Sequence, residues 1–544
     1  VSATSVWILC IGLLLFGWRR ILSYLRYFQQ EEYSARRFWS WIIEKRAFDT
    51  RGSATILASA ALLWAIPGSI ARITLSAVAA IVLVWIAWRY EEDPRTTGKI
   101  KLNMTQRATK IAQGARLIFS VCAIAPALMS CSSCYQAGMP PLKLAILGVL
   151  IAQAPPILLM LANALLWPAE KALQDRFIAD AKRILKEVDP FVIGITGSYG
   201  KTGAKAALGE ILTQTLGATF WPRKSINTVL GITRTIREQM RPFHKFAVIE
   251  MGAYNIGSIK RLCDFTPPKA SLVTAVGIMH LERFGSPENV YVAKSEIAQA
   301  LPVEGILVCN GDSPNARRMA REHPRQTTLL YGLDPGAGPL DCFATDISFS
   351  EQGTRFVIHW KGNNYPARTP LLGRPALLNI LGAFTMACAL GADPAYAAAT
   401  LANLEPVDNR LVLEKNRDVS YLRDAYNSNP TGFAAALEVL RDLPAGRRIL
   451  MTPGMIELGD QQFEHNKQVA SMAAKLCDLI IVVGKVNREA LLAGLTAAQF
   501  PSDKLIVVDT RDEAFKVIKS RGVSGDLVLI ENDLGDLHEG RIRF

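Results

Sequence analysis

The sequence predicts an α-helical, hydrophobic N-terminal region followed by two α/β domains. Three observations carry that prediction. Apolar runs crowd the first 167 residues, and a buried-strand pattern at Phe191–Ile195 then leads straight into a glycine-rich turn and an Ala-rich helical segment. Further on, short β-branched runs alternate with helical patterns to the end. At 544 residues the chain exceeds one ordinary domain and has room for a membrane portion plus two soluble ones.

The apolar runs are about Thr4 to Trp18, Ser53 to Trp64, Ile73 to Trp88, Leu117 to Ser130 and Leu142 to Trp167. A crossing needs about 20 residues for roughly 30 Å of hydrocarbon. Pro67-Gly68 ends the second run and Pro155-Pro156 interrupts the last, so five crossings are expected, with three as the alternative if the second and third runs form a re-entrant hairpin. The first run starts almost at residue 1 and has no small-residue cleavage site, which reads as an uncleaved anchor. Arg19, Arg20, Arg26, Arg36, Arg37, Lys45, Arg46 and Arg51 fill the connection after the first run. Arg89, Arg95, Lys99, Lys101, Arg107, Lys110 and Arg116 fill that after the third, whereas the other two connections hold little beyond Arg72 and Lys143. Basic loops stay cytoplasmic, so everything after Trp167 is expected on the cytoplasmic side of the membrane. A charged helical stretch follows to about Lys186, with Leu173, Phe177, Ala181 and Ile184 near one face. It is expected to pack on the catalytic domain or to lie on the membrane surface.

Much of the formal net charge of +13 is accounted for by these connections. No helix-turn-helix, finger or aromatic-basic platform argues for nucleic acid as a partner; membrane lipids are the expected one. Nine cysteines are scattered without a disulfide framework. Cys131 and Cys134 form a lone CxxC near the expected outer face, open to a structural role or to redox or metal chemistry.

Chemistry enters at Gly197, Ser198, Tyr199, Gly200, Lys201 and Thr202. Ile195 stands where the longer G-x-x-x-x-G-K-[ST] pattern has its first glycine. Small turn residues still let successive N–H groups face phosphate at a helix N-terminus. Lys201 is then suited to bridge the β- and γ-phosphates of ATP, and Thr202 to ligate Mg²⁺. A second buried strand, Phe246–Glu250, ends in a carboxylate suited to hold Mg²⁺ near Thr202. A third, Ala270 to Ala275, leads to a segment containing His280 and Glu282, both metal-capable groups.

In this order and spacing the sequence resembles the Mur ligase family, and within it the branch adding D-alanyl-D-alanine to a UDP-muramoyl tripeptide. The resemblance runs from about Val192 to Val483. It rests on GITGSYGKT at Gly194–Thr202, EMGA at Glu250–Ala253, HLERFGS at His280–Ser286, AKSEI at Ala293–Ile297, DAYNSNP at Asp424–Pro430 and IELG at Ile456–Gly459. It implies an ATP-dependent carboxylate–amine ligase. The carboxylate attacks the γ-phosphate, an amine displaces phosphate from the acyl phosphate, and ADP and phosphate are released. Thr202 and Glu250 would serve one Mg²⁺ and His280 another; Lys294 matches the lysine that becomes carbamylated. Asn379 matches the asparagine beside adenine, Arg410 the arginine that enters the ATP site from the C-terminal domain, and Asp424 the residue on the ribose.

The sequence also departs from that pattern. Pro375-Ala376 stand where a histidine-asparagine pair is usual, and Arg423 where an acidic residue is common. Leu527–Gly535, which includes Glu531, replaces a lysine-glycine-serine-arginine turn. Hydrophobic runs occupy the place of the family's sugar-nucleotide domain. The implied partners are therefore a cell-envelope carboxylate, lipid-linked or soluble, and an amino acid, a small peptide or a growing γ-linked polyamide as the amine. Envelope-biosynthesis membrane enzymes are expected neighbours. A transport ATPase or a nucleotide-regulated membrane scaffold is the alternative of another class. The domains are expected at 1–171, 172–392 and 403–544. Phe343–Trp360 should form antiparallel strands in the central domain. Arg448–Thr452, Leu479–Val483 and Lys504–Val508 should be buried parallel strands in a smaller, doubly wound C-terminal one.

Overall fold

Side-chain caps set where the first helices begin. Ser2, Ser34 and Asp49 each accept from a backbone N–H of the turn that follows, opening α1 (Ala3–Gln30), α2 (Ala35–Glu44) and α3 (Thr50–Ala65). Four more helices follow: α4 (Ser69–Arg89), α5 (Gln106–Ser130), α6 (Pro141–Ala152) and α7 (Pro155–Val188). The computed structural model describes residues 2–89, 93–96, 101–130, 140–277, 284–406, 410–416, 418–425, 428–456 and 458–532. They fall into two units divided at Leu173/Gln174.

In the first unit, glycines let α1 approach its neighbours closely. A Cβ on Gly12 would lie 2.5 Å from the Ala80 Cβ of α4, and one on Gly17 would lie 2.0 Å from the Phe119 ring of α5. Phe16, Tyr24, Phe28, Phe38 and Phe119 fill the core. Polar groups are buried inside it: Arg20 Nε lies 2.5 Å from Asp49 Oδ2, with both side chains at or below 1% exposure. The outward surface is apolar, with Trp64, Ile70, Ile81, Leu117 and Leu142 more than half exposed.

Three helices are long and apolar enough to cross a membrane, Ala3–Gln30, Ser69–Arg89 and Gln106–Leu128. Leu142–Ala152 and the helix beginning at Pro155 form a pair bent by 54°, a broken span or a re-entrant loop. By length and composition alone, three helices qualify as spans among the described residues, or four if the bent pair is one, beside the five crossings expected and the three of the alternative. The second run yields only the 16-residue α3, about 24 Å long, which Ile66-Pro67 ends. Arg19 and Arg20 do not close α1, because Asp49 neutralises Arg20 and the helix continues for ten further residues. Cys131 and Cys134 lie outside the described residues.

The second unit contains two sheets. The larger has nine strands in the order β2-β3-β1-β4-β5-β6-β7-β8-β9. They are β1 (Phe191–Thr196), β2 (Thr219–Phe220), β3 (Phe246–Glu250), β4 (Ala270–Val273), β5 (Ile306–Asn310), β6 (Thr327–Gly332), β7 (Cys342–Ser350), β8 (Gly353–Trp360) and β9 (Asn363–Thr369). Pairing is parallel through β7, and β7-β8-β9 form an antiparallel extension. The β1 run Val192–Thr196 is buried, as are the last four residues of β3, so both read as apolar runs without alternation. The second half of α7 belongs here: Ala181 is buried beside Phe220, Ile232 and Ile236, and Arg237 lies 4.0 Å over the Phe177 ring. Of the two expectations for this stretch, packing on the catalytic unit is the one observed.

The smaller sheet has six strands in the order β10-β11-β15-β12-β13-β14. These are β10 (Val412–Glu414), β11 (Val419–Asp424), β12 (Arg448–Thr452), β13 (Leu479–Val483), β14 (Leu505–Val508) and β15 (Asp526–Glu531). All pairs but β10-β11 are parallel. Strand β15, read in the sequence only as a departure from a family turn, sits at the sheet's centre and is buried along its length. Two ion pairs link the parts built on the two sheets: Lys415–Glu351 at 2.5 Å and Arg374–Glu438 at 3.0 Å.

Candidate active site

β1 ends under the glycine-rich loop, and α8 (Lys201–Thr215) leaves it. Gly200 caps α8 with φ +85°, a left-handed conformation that glycine adopts without penalty. A Cβ there would also fall 2.3 Å from Asn379 Oδ1, so two independent constraints demand glycine. The loop is tied to the segment leaving β4. Ser198 Oγ donates to Gly277 O (2.8 Å), and Thr274 Oγ1 donates to Tyr199 O (2.5 Å).

Glu250, at the end of β3, collects a ring of donors. Thr202 Oγ1 and Lys205 Nζ donate to Oε2 at 3.0 and 3.1 Å, and Ser225 Oγ and Asn227 Nδ2 donate to Oε1 at 3.1 and 3.2 Å. Burial pushes its carboxyl up, but Lys205 and Lys201 outweigh that and hold it below its usual range. Lys205 was not singled out in the sequence. It lies four residues after Lys201 and therefore one helical turn along the same face, a spacing that could have found it. Ser225 and Asn227 come from a loop that carries no motif.

Lys201 Nζ donates to Gly197 O and Ser198 O at 2.7 and 3.1 Å. Desolvation, together with the charge of Arg410, lowers its pKa to about 8, against the pull of Glu250. Lys294 sits on the helix Pro287–Gln299, 3% exposed. Burial first, then the Lys201 charge, bring its amine well below the ordinary lysine range, while Glu250 and Glu296 oppose the shift. Ser198, Lys201, Asn227 and Lys294 line one small cavity of about 40 Å³.

Tyr199, Gly200, Thr202, Asn379, Arg410 and Asp424 line a larger cleft of about 540 Å³ between the two sheets. Asn379, on the helix Arg374–Ala389, lies against Gly200 and Gly203 at the start of α8. Thr431, on the helix Pro430–Asp442, shares a side-chain hydrogen bond with Tyr199 across the two parts of the unit. Asp424 ends β11; burial raises its carboxyl to about 7, against Arg410 and a backbone hydrogen bond at Leu411. Glu531, also unforeseen, lines the same cleft. His280 lies outside the described residues, and among the described residues no cluster of three His, Cys, Asp or Glu side chains forms a metal site. A hydroxyl and a carboxylate in contact, Thr202 and Glu250, are the hard oxygen donors that suit Mg²⁺.

Such a loop–helix junction facing a carboxylate across a cleft defines a nucleotide-using α/β enzyme. Residues 195–387 match the Mur ligase middle domain and residues 409–531 the Mur ligase, glutamate ligase domain. The chain belongs to the Mur ligase family, whose members are ATP-dependent ligases that join a carboxylate to an amine through an acyl phosphate. The UDP-N-acetylmuramoyl-tripeptide–D-alanyl-D-alanine ligase of Escherichia coli is 32% identical over 327 residues, covering 60% of this chain and 71% of its own length. The Bacillus subtilis enzyme of the same name is 30% identical, covering 65% and 76%. Among solved structures, MurF from Acinetobacter baumannii superposes with a TM-score of 0.57 at 26% identity, covering 66% of this chain and 77% of its own. MurF from Thermotoga maritima in complex with ADP gives 0.58 at 25%, covering 66% and 80%.

Proposed function

We propose that this ligase works at the cytoplasmic face of a bacterial inner membrane and extends a cell-envelope or lipid-linked carboxylate by an amino acid or small peptide. The observation that carries this reading is the apolar outer surface of the first unit. Large apolar side chains face outward as well as filling the core, and Arg20 and Asp49 are paired within it, unlike the polar-surfaced bundle expected in water. With all five apolar runs crossing, both basic connections and the catalytic unit share the cytoplasmic side, where ATP is found. The relatives named above act on a UDP-muramoyl tripeptide and D-alanyl-D-alanine. A related acceptor carrying a carboxylate fits the family chemistry, and an anchored enzyme has direct access to one held in the membrane.

Each residue has a task in this reading. The loop N–H groups of Tyr199 and Gly200 and the start of α8 bind the phosphates, and Lys201 offsets charge at the γ-phosphate as the substrate carboxylate approaches. The carboxylate oxygen forms a bond to γ-phosphorus while the bond to the ADP oxygen breaks. The amine nitrogen then bonds to the acyl carbon, the carbon–oxygen bond to phosphate breaks, and the nitrogen loses a proton. Thr202 and Glu250 would hold Mg²⁺, with His280 at a second position; the ion supplies charge that lets two anions meet. Lys294, buried in the same cavity wall as Lys201, would add CO2 at its neutral amine and lose a proton, giving a carbamate anion able to bind metal. Asn379 and Arg410 face the nucleotide, and Asp424 holds its ribose.

The test is to supply the purified full chain in lipid nanodiscs with ATP, Mg²⁺ and pools of envelope carboxylates and amines, and to analyse products by mass spectrometry. An amide with stoichiometric ADP and phosphate is expected; AMP and diphosphate would overturn the acyl phosphate. Turnover of lipid-linked acceptors only in nanodiscs, with soluble acceptors inert, is the expected pattern for a membrane substrate.

A further inference from the structure

Asp424 and Glu531 are the last residues of adjacent parallel strands and are partners in register. In-register neighbours project to the same side of a sheet about 4.8 Å apart, so the two carboxyls stand side by side, and both line the large cleft. The backbone fixes them there. Asn532, at φ +66°, turns the chain away, donates its N–H to Asp424 O at 2.9 Å, and donates its side-chain amide to Gly454 O at 2.6 Å. Glu531 is fully buried, and Ser428 Oγ donates to its Oε1 at 2.6 Å. Its Oε2 has no hydrogen-bond partner among the described residues. A buried carboxyl oxygen left open in a ligand cleft calls for a group that completes it.

We infer that Glu531 is a second ribose ligand, which together with Asp424 grips the vicinal 2′,3′-diol of the nucleotide and makes the site selective for ribonucleotides. The inference rests on the reading that Asp424 holds the ribose. Two adjacent buried carboxyls hold one proton between them, because both cannot ionise at that spacing. Burial and the neighbouring Asp424 charge place that proton on Glu531, which titrates well above the usual carboxylate range. One acceptor and one donor then face the cleft. A diol matches this set: one hydroxyl donates to Asp424 and the other accepts from Glu531. An ammonium group or a metal ion would need both carboxylates ionised, and the Arg410 charge acting on Asp424 already opposes a further cation.

Calorimetric binding of ATP, 2′-deoxy-ATP and 3′-deoxy-ATP to the full chain tests this without turnover. Wild type should favour ATP over at least one deoxynucleotide by about tenfold, the effect of one good hydrogen bond. Glu531→Ala should weaken ATP by a similar factor and abolish that preference. Glu531→Gln, neutral and able to donate, should retain both. If Glu531→Ala keeps the wild-type preference while Asp424→Asn weakens every nucleotide, Glu531 is not a ribose ligand. If neither variant alters binding, the ribose is elsewhere and the underlying reading of Asp424 falls too.

Discussion

Replacing Lys205 by Met tests how the Glu250 ring is balanced. The two side chains form a buried ion pair, 1% and 0% exposed at 3.1 Å. Removing one partner of such a pair costs about 3–5 kcal/mol, because the other charge remains buried. Glu250 would keep three donors, Thr202, Ser225 and Asn227, which favours the lower end. Methionine preserves volume, so no cavity term is added. Lys224 O loses its 2.5 Å bond, but Lys224 is exposed and water replaces the donor. The expected loss is therefore about 3 kcal/mol. Urea unfolding of the full chain in detergent, followed by tryptophan fluorescence, measures it. Trp221 is a local reporter, packed where a Cβ on Gly209 would lie 2.4 Å from its ring, one turn beyond Lys205. A divalent cation on Glu250 would replace the missing ammonium charge, so Mg²⁺ with ADP should narrow the gap between variant and wild type. A loss under about 1 kcal/mol would refute the claim that Glu250 depends on Lys205.

Lys294→Ala and Lys294→Arg should each lower ATP-dependent product formation by about a hundredfold while leaving circular dichroism unchanged, since neither can carry a carbamate; normal turnover in both removes Lys294 from the reaction. Asp49→Asn keeps a capping oxygen but removes the carboxylate charge from beside the buried Arg20. It should cost about 3–5 kcal/mol, seen as a lower thermal midpoint of the detergent-solubilised chain, and an unchanged midpoint would show the pair to be dispensable. The Asp424 carboxyl sits at about 7 against an ordinary 3.8, so the folded form binds the proton more tightly. Its contribution is present below the ordinary value and is lost as pH rises through about 7. Urea midpoints should accordingly fall between pH 5 and 8, and Asp424→Asn should flatten the slope; an equal slope in the variant would contradict the assignment.

The catalytic fold was legible where patterns were local. β1, β3, β12 and β13 stand within a residue of where their unbroken apolar runs placed them, because strands buried on both faces need no alternation. β15 was hidden by its own chemistry: a run ending Glu531-Asn532 reads as a turn until the sheet shows it at the centre. In the candidate site, Lys201 and Thr202 followed from loop geometry, whereas Lys294 looked like a surface cation without the family resemblance. Glu531 and Ser428 lie 103 positions apart, and no local period reports such a contact. In the helical unit, Pro67 was already legible as the end of the second run, and α3 stops beside it at Ala65. The buried Arg20 went unrecognised because its neutralising partner is 29 residues away, beyond the whole of α2.

The two sheets of the catalytic unit are fastened by Lys415–Glu351 and Arg374–Glu438, whose side chains are largely open to solvent. Exposed pairs of this kind contribute at most about 1 kcal/mol each and fade as ionic strength rises. They are the charged edge of a junction that also has an apolar part, because Leu372 and Phe349 pack into the smaller sheet's core with Leu411 and Leu422. Raising ionic strength would therefore loosen only the charged edge of that junction and leave its apolar part in place.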